Sequence, residues 1–335
     1  MAIELTTVAD DLVVFHDGDA VHRYEGLEPD TDYVLHGVAV RTLPRPPGER
    51  LATVATVNDV HFGELECGRI DDHEIGPILR AEPGEPPYPE TMSRAAVAEI
   101  AAADPDAVIV KGDLTTAGHA DEFAAFEDCY RTPFGDRLFV TRGNHDAYQG
   151  QSTYAGDAWV DVAGCSVGLL DTVKPFETNG TLDTDQLTAL DDGLGERADR
   201  RVILLGHHQQ WIGTNRSPDY FGLDPDASDA LDALCVRHPN VVAYAAGHTH
   251  RHRRRTMTAS GATSIEVGCV KDFPGTWAEY RVFEGGVLQV VHRISSPEAL
   301  SWSNRCRVLY SDFGVDYQAY AFGDLADRCF ALADR

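Results

Sequence analysis

The chain has 335 residues, of which 43% are hydrophobic and 24% are charged. This composition excludes a wholly disordered protein, and the length suits either one large domain or two smaller ones. The net charge of −26 opposes binding to long polyanions such as nucleic acid and to anionic membrane surfaces. It does not exclude a small phosphate substrate, because bound metal ions can reverse the sign of the local potential.

The cysteines and the N-terminus indicate the compartment. Seven cysteines are scattered without a C-x-x-C pair, which argues against a disulfide framework and against a thiolate zinc site. No apolar run approaches the roughly 20 residues that a membrane span needs, and the first residues do not resemble a signal peptide. We therefore expect a cytoplasmic protein with no membrane partner. The sequence leaves homo-oligomerisation open.

Residues 1–50 are expected to form a small β-rich extension. Residues 12–15 and 32–35 have the composition of strands, with turn-forming residues nearby. Fifty residues are too few for an independent β-sandwich, so we expect a small sheet that packs on the main domain. The proline-rich stretch 43–48 is predicted to be a linker.

The main domain, residues 51–296, alternates predicted strands and helices. Short, continuously apolar runs of the kind found in buried strands lie at residues 51–57, 107–110, 138–141, 166–170, 202–205 and 241–245. Predicted helices lie between them, at residues 93–103, 121–131, 184–194 and 228–237. Residues 83–89 are a predicted loop. Three alternating strands follow, at residues 263–267, 279–283 and 287–294, and the tail 297–335 is expected to mix helix and loop and to pack on this domain.

Polar residues follow five of these strands, at the edge where open sheets place their ligand sites. The segments are Asn58-Asp-Val-His61, Gly112-Asp113, Gly143-Asn-His-Asp146, Gly206-His-His208 and Gly247-His-Thr-His250. Carboxylate, imidazole and amide groups in this number are the ligands that a pair of divalent cations needs.

The ordered set D-x-H, G-D, G-N-H-D, H-H and G-H-x-H resembles the calcineurin-like binuclear metallophosphoesterase superfamily, from about Asn58 to His250. The resemblance implies an α/β fold of the layered α+β kind, a two-sheet β-sandwich flanked by helices, with residues 51–296 as the catalytic domain. It also implies two divalent transition metal ions, Mn, Fe and/or Zn. One ion would be held by Asp59, His61, Asp113 and His250, and the other by Asp113, Asn144, His207 and His248.

In this resemblance Asp113 bridges the two ions, and His145 lies over the substrate as a proton donor or a phosphoryl-oxygen donor. Two cations about 3.5–4 Å apart lower the pKa of a shared water to near neutrality, which independently suits hydrolysis. Histidine is also the side chain best able to donate a proton near neutral pH.

Several of these residues have an ordinary structural interpretation. Asp59, Asp113 and Asn144 could each cap a helix, although their occurrence together with four histidines weakens that interpretation. Asp146 is favoured as a turn former over a ligand.

Two further residues are predicted to bind substrate, with a structural alternative for each. Arg142, before Gly143, could contact phosphate or serve as a structural arginine. His208 could face substrate or simply pack in the interior.

The substrate class follows from departures within the motifs. Protein Ser/Thr phosphatases of this superfamily carry G-D-x-x-D-R-G, whose second Asp orients the catalytic histidine, whereas Thr116 stands at that place here. The G-D-L-T and G-H-T-H elements look most like the class III cyclic nucleotide phosphodiesterase branch. The resemblance therefore implies hydrolysis of a small phosphodiester, such as a 3′,5′-cyclic nucleotide, by a metal-bound hydroxide with His145 as proton donor.

Three alternatives remain: a phosphomonoesterase, a DNA nuclease of the same superfamily, and a non-catalytic scaffold. The complete ligand set weighs against the scaffold, and the net charge weighs against the nuclease. Residues 250–255 form a basic cluster that is either a solvated strand edge or a phosphate-attracting rim. Residues 273–277 are either core packing or an aromatic wall for a nucleobase.

Overall fold

This computed structural model describes residues 3–70, 73–213, 220–332 and 334. The strands, in chain order, are Glu4–Val8 (β1), Leu12–Asp17 (β2), Ala20–Glu25 (β3), Asp32–Leu35 (β4), Val38–Arg41 (β5), Arg50–Val57 (β6), Cys67–Ile70 (β7), His73–Leu79 (β8), Ala107–Lys111 (β9), Leu138–Thr141 (β10), Ala158–Val162 (β11), Cys165–Leu170 (β12), Arg201–Gly206 (β13), Val241–Ala246 (β14), Arg253–Thr256 (β15), Thr263–Glu266 (β16), Thr276–Phe283 (β17), Gly286–Arg293 (β18) and Phe330–Leu332 (β19). The α-helices are Tyr88–Ala103 (α1), Ala120–Phe134 (α2), Thr184–Gly195 (α3), Pro225–Arg237 (α4), Pro297–Arg305 (α5), Tyr317–Phe322 (α6) and Leu325–Arg328 (α7).

Two six-stranded mixed sheets pack face to face. The first has the order β10-β9-β6-β17-β18-β19, and the second has the order β11-β12-β13-β14-β16-β15. Buried apolar side chains fill the space between them, among them Val54 and Tyr280 from the first sheet and Ile203 and Ala243 from the second. The predicted fold class, a two-sheet sandwich flanked by helices, is confirmed.

Helices cover the outer faces of both sheets. On the first sheet, α1, α2 and α5 bury Met92, Phe126 and Trp302. On the second, α3 and α4 bury Leu190 and Leu231. The central strands are therefore covered on both faces, which is why their sequences are continuously apolar rather than alternating.

The described residues of the N-terminal extension form two small sheets, and the three-stranded one packs against the outer face of the first large sheet. Strands β1, β2 and β3 make a three-stranded sheet, and β4 pairs with β5. Leu12 and Val14 pack against Leu288 and Val290 of β18. Thr7 Oγ1 also donates to the carbonyl oxygen of Val291 at 2.7 Å. This burial ties the N-terminal strands to the main sandwich.

Some elements differ from the sequence-based expectation. Helix α1 begins at Tyr88, so the predicted loop over residues 83–89 is wrong at its last two residues. Proline suits the first turn of a helix because the N–H that it lacks would have no partner there. The tail contains the expected helices and also β19, which pairs with β18. No helix of the described residues is long and apolar enough to cross a membrane.

Candidate metal centre

Five loops meet at one end of the sandwich. Strands β6, β9 and β10 are parallel, so their carboxyl ends share one edge, and the parallel strands β13 and β14 end beside it. The Asp59 N–H donates to the carbonyl oxygen of Gly112 at 3.0 Å, and the Gly247 N–H donates to that of His207 at 3.0 Å. These backbone bonds hold the motif-bearing loops of each sheet together.

One group of ligand side chains, called site A here, consists of Asp59, His61, Asp113 and His250. Asp59, His61 and His250 place one ligand atom each within 4.8 Å of one another. His250 Nε2 lies 3.7 Å from Asp59 Oδ1, and His61 Nε2 lies 3.4 Å from Asp113 Oδ2. Apart from the half-buried His250, all of these residues are buried.

The second group, called site B here, consists of Asp113, Asn144, His207 and His248. His207 Nε2 lies 3.2 Å from Asp113 Oδ2, 3.1 Å from Asn144 Oδ1 and 3.2 Å from His248 Nδ1. The same carboxylate oxygen of Asp113 therefore faces a histidine of each site. A carboxylate in that position is suited to bridge two cations.

The side chains fit a pair of divalent cations. His61 Nε2 is buried without a hydrogen-bond partner, although it points at the centre of the cluster. His207 Nε2 and His248 Nδ1 face each other, so at most one of them can carry the hydrogen of a bond between them. Imidazole, carboxylate and amide donors in such a set suit Mn, Fe and Zn, and suit Ca and Mg less well.

Several of these groups already have the protonation state that metal binding requires. It lowers the pKa of His61 and lowers the pKa of His248 to about 3, so both imidazoles are neutral. Burial opposes ionisation of Asp113, but the facing imidazoles of His207 and His145 hold its pKa well below the ordinary range. The neutral imidazoles and the carboxylate are ready to ligate a cation.

Strained backbone concentrates in these loops. Eleven described residues other than glycine have a positive φ, and five of them belong to sites A and B, namely Asp59, His61, Asp113, His248 and His250. Such left-handed conformations are uncommon outside glycine and cluster at functional sites. Here they turn the chain sharply after each strand and direct the side chains to a common point.

Two glycines of the motifs are required by close approach. Gly112 has φ +90°, and a Cβ there would lie 2.2 Å from His207 Nδ1. A Cβ at Gly143 would lie 2.3 Å from Asp113 Oδ1. Only glycine lets these loops pack directly against the ligand side chains.

Comparison with known proteins decides the family. Residues 52–252, more than half of the chain, match the family model described as calcineurin-like phosphoesterase. The chain belongs to the calcineurin-like phosphoesterase family. This is the family that the sequence motifs predicted.

Two curated relatives of this calcineurin-like phosphoesterase match parts of it. A probable cyclic nucleotide phosphodiesterase of Synechococcus is 28% identical over 153 residues, which are 44% of this chain and 58% of that protein. The 3′,5′-cyclic adenosine monophosphate phosphodiesterase of Pseudomonas aeruginosa is 27% identical over 177 residues, which are 51% and 64% of the two chains. The chain thus aligns with less than two thirds of the length of each.

Two solved structures share the fold. A dimetal phosphatase from Danio rerio superposes with a TM-score of 0.55 at 16% identity, covering 73% of this chain and 98% of that one. A purple acid phosphatase from yellow lupin superposes with a TM-score of 0.50 at 14% identity, covering 83% and 60%. Both likenesses support the two-sheet sandwich fold.

The two residues predicted to bind substrate both have partners within the protein. The Arg142 guanidinium is buried, and it pairs with Asp171 at 3.0 Å and donates to the carbonyl oxygen of Gln151 at 2.8 Å. His208 is fully buried, with Nδ1 at 2.7 Å from Thr172 Oγ1 and Nε2 at 3.1 Å from the carbonyl oxygen of Thr178. These contacts favour the structural alternative for both residues.

His145 lies beside the ligands, and its orientation comes from a contact that the sequence does not reveal. Its Nδ1 lies 2.8 Å from the carbonyl oxygen of Thr116. A carbonyl oxygen only accepts, so Nδ1 carries the hydrogen and Nε2 is left for substrate. The carbonyl oxygen of Thr116 thus orients His145, which is the role of the aspartate at that position in the protein phosphatases.

Asp146 links two of the motif loops. Its carboxylate accepts from the N–H groups of Gly143 at 2.8 Å, Leu114 at 3.1 Å and Thr115 at 2.9 Å, and from the Thr115 hydroxyl at 2.6 Å. It is fully buried and points away from solvent. Asp146 therefore holds the G-D loop against the G-N-H-D loop, in line with the preference for a turn former.

Replacing Asp146 with Ala is expected to destabilise the protein by about 3 kcal/mol or more, because it leaves several buried donors without an acceptor. Urea unfolding of the metal-free protein measures this loss. Asp146→Asn keeps the shape and one acceptor oxygen, so its loss should be smaller. A change below about 0.5 kcal/mol for Asp146→Ala would contradict the linking role.

The basic cluster is mostly paired. Arg251 and Arg255 both form ion pairs with the buried Glu266, at 2.7 Å and 3.1 Å. The Arg254 guanidinium packs over the ring of Phe330, with 4.5 Å between its carbon and the ring centroid. These contacts favour a structural strand edge over a phosphate-attracting rim. The other open segment, residues 273–277, contributes Phe273 and Trp277 to the core.

Proposed function

We propose that this chain is a binuclear metal-dependent phosphodiesterase that hydrolyses a small phosphodiester. The observation that carries the proposal is the meeting of sites A and B at a single oxygen, Asp113 Oδ2. A binuclear centre of this kind serves in-line displacement at phosphorus, because it acts on both the attacking and the leaving oxygen. The names of the two curated relatives support a 3′,5′-cyclic nucleotide as the diester.

The proposed cofactors are two divalent transition metal ions, with Mn, Fe and Zn as candidates. Bound at sites A and B, they would lower the pKa of an attacking water and neutralise charge on the phosphoryl oxygens. The chain's own side chains would hold these ions from loops that follow three neighbouring strands of the first sheet, β10, β9 and β6, and two of the second, β13 and β14. Asn144 contributes an oxygen without adding charge to a centre that already holds two buried carboxylates.

Tyr148 sets the orientation of the Asn144 amide. Asn144 Nδ2 donates to the Tyr148 hydroxyl at 2.6 Å, which leaves Oδ1 on the side of His207. The amide oxygen, rather than the nitrogen, therefore faces site B. We expect Tyr148 to matter for metal binding through this bond.

His145 is the proposed general acid. Its ring lies 4.6 Å from that of His61, centroid to centroid, and one of its ring nitrogens lies within 4.8 Å of ligand atoms of His61 and Asp113, so it borders site A. With Nδ1 fixed on the Thr116 carbonyl, a protonated Nε2 can transfer its proton to the oxygen that leaves phosphorus. Addition of water across one P–O bond gives a phosphomonoester and a free hydroxyl, and for a 3′,5′-cyclic nucleotide both groups are on the same nucleoside monophosphate.

The protein is expected to hydrolyse small phosphodiesters at least about 10²-fold more efficiently, in kcat/KM, than duplex DNA. The net charge of −26 opposes a long polyanion, and the paired arginines offer no free basic track among the described residues. The test is a turnover panel of 3′,5′-cyclic nucleotides, glycerophosphodiesters, p-nitrophenyl phosphate, bis-p-nitrophenyl phosphate and duplex DNA. The phosphomonoester p-nitrophenyl phosphate should be the poorer of the two nitrophenyl substrates.

Asp113→Asn, purified in the same way, is the control for contaminating hydrolases, because it keeps the shape of Asp113 and removes its charge. Salt-sensitive cleavage of duplex DNA with negligible turnover of every small diester would favour the nuclease. Preference for the phosphomonoester would favour a phosphatase. No hydrolysis of any substrate by metal-loaded protein would favour the scaffold.

A further inference from the structure

Lys271 is a buried cation next to site A. Its side chain is 4% exposed, and its Nζ lies 2.8 Å from Glu64 Oε2 and 3.4 Å from Asp272 Oδ2. Both carboxylates are themselves largely shielded from solvent. A lysine is buried at high cost unless carboxylates compensate it, so these three charges form one unit.

Each of the two carboxylates lies near Nδ1 of a site A histidine, the ring nitrogen that does not face the site. Glu64 Oε2 lies 3.6 Å from His61 Nδ1, and Asp272 Oδ2 lies 3.5 Å from His250 Nδ1. The opposite nitrogen of each ring, Nε2, faces the site A carboxylates. A carboxylate behind an imidazole fixes the ring's orientation and raises its basicity as a ligand.

The histidines of site B are supported differently. His207 Nδ1 lies 3.2 Å from the carbonyl oxygen of Lys111, and His248 Nε2 lies 2.8 Å from that of Phe221. Neutral backbone carbonyls thus stand where site A has carboxylates. A substitution in the unit of Lys271, Glu64 and Asp272 should therefore change the cation affinity of site A and leave that of site B unchanged.

The C-terminal tail holds this unit in place. The Tyr317 hydroxyl donates to Asp272 Oδ1 at 2.8 Å, and Trp302 Nε1 donates to the carbonyl oxygen of Lys271 at 2.9 Å. Both aromatic residues lie beyond the stretch 52–252 that matches the family, as do Lys271 and Asp272. These two hydrogen bonds link the tail to Lys271 and Asp272.

We propose that Lys271 is a positioning residue that joins Glu64 and Asp272 so that His61 and His250 keep Nε2 directed into site A. The C-terminal tail supports this arrangement through Tyr317. The inference rests on the proposed function for the assignment of site A as a cation site. The proposed effect of Lys271 is on the cation affinity of site A, which can be measured without any substrate.

The experiment isolates each site in turn and titrates metal-free protein with Mn²⁺, followed by calorimetry. His248→Ala weakens site B and leaves site A to be measured, whereas His250→Ala weakens site A and leaves site B. Adding Lys271→Met to His248→Ala should weaken Mn²⁺ binding about 10- to 100-fold. Adding it to His250→Ala should change binding by less than about twofold, because the site B imidazoles are supported by backbone carbonyls.

Arg281→Met is the matched control, because Arg281 is also a buried cation between carboxylates. It pairs with Asp10 at 2.6 Å and with Glu279 at 3.1 Å, and it lies beside Thr53, far from the carboxyl end of β6. Arg281→Met should lower the melting temperature of the metal-free protein without changing Mn²⁺ affinity. If Lys271→Met behaves in the same way, the lysine is merely structural and the inference is overturned.

Tyr317→Phe provides a milder variant in case Lys271→Met does not fold. It removes only the hydroxyl that donates to Asp272, so the Mn²⁺ affinity of site A should fall by about 3- to 10-fold, again without effect on site B. Equal weakening of both sites, or of neither, would overturn the inference. If His248→Ala and wild-type protein bind no Mn²⁺ at all, the proposed function itself fails, which is a distinct result.

Discussion

Asp113→Ala is expected to lose both metal ions, leaving well below one ion per chain. The reason is that Asp113 Oδ2 faces His61 of site A at 3.4 Å and His207 of site B at 3.2 Å. Single changes in histidines that serve one site, such as His250→Ala and His248→Ala, should each leave about one ion per chain. Elemental analysis of the purified, dialysed proteins measures the difference.

The control for this prediction is the fold of the metal-free proteins. Asp113 is buried, and its Oδ1 accepts from the His145 N–H at 3.0 Å, so its loss also removes one structural bond. Circular dichroism and thermal melting of metal-free Asp113→Ala should nevertheless show a folded protein, because only one hydrogen bond to the backbone is lost. Loss of only one ion from folded Asp113→Ala would show that the carboxylate serves a single site.

His145→Ala is expected to keep both metals while kcat falls about 10²- to 10⁴-fold, the usual worth of a positioned proton donor. The expectation follows from the place of His145 beside site A and from its tautomer, which the Thr116 carbonyl sets. The loss should be smaller for bis-p-nitrophenyl phosphate than for a cyclic nucleotide, since p-nitrophenolate leaves without a proton. Steady-state kinetics on both substrates measures the two losses.

Equal losses on both substrates would instead make His145 a stabiliser of the phosphoryl oxygens. Loss of a metal ion from His145→Ala would make it a ligand. Either result would contradict its assignment as a general acid.

The strand-end motifs were readable from the sequence because each motif is local. A continuously apolar strand followed at once by Asp59, or by Gly112 and Asp113, carries its own evidence. Parallel pairing then brings these loops to one edge, as β6, β9 and β10 show. Fold class and family followed from the same pattern.

Contacts made by the backbone, and contacts between residues far apart in the chain, could not be predicted from the sequence. Thr116 stands where the protein phosphatases carry an aspartate, but nothing in its identity shows that its carbonyl oxygen would contact His145 Nδ1. Lys271 lies 207 positions after Glu64, and no local pattern links the two. The partner of Arg142 is likewise distant, since Asp171 follows a different strand.

Short elements at the periphery were also missed, for a physical reason. Strand β19 has three residues, and the hairpin of β7 and β8 has a mixed composition, so neither shows a clear period. Their pairing depends on neighbouring strands rather than on their own sequence. Of the N-terminal strands, β2 and β4 were predicted, whereas β1, β3 and β5 were not.

The metal content of fully active wild-type protein tests the binuclear centre most directly. Protein loaded with Mn²⁺, freed of loose metal by gel filtration and assayed on a small phosphodiester should contain about two ions per chain. Activity should rise with occupancy and reach its maximum only when both sites are filled. Full activity with one ion per chain, or with none, would contradict the assignment of sites A and B.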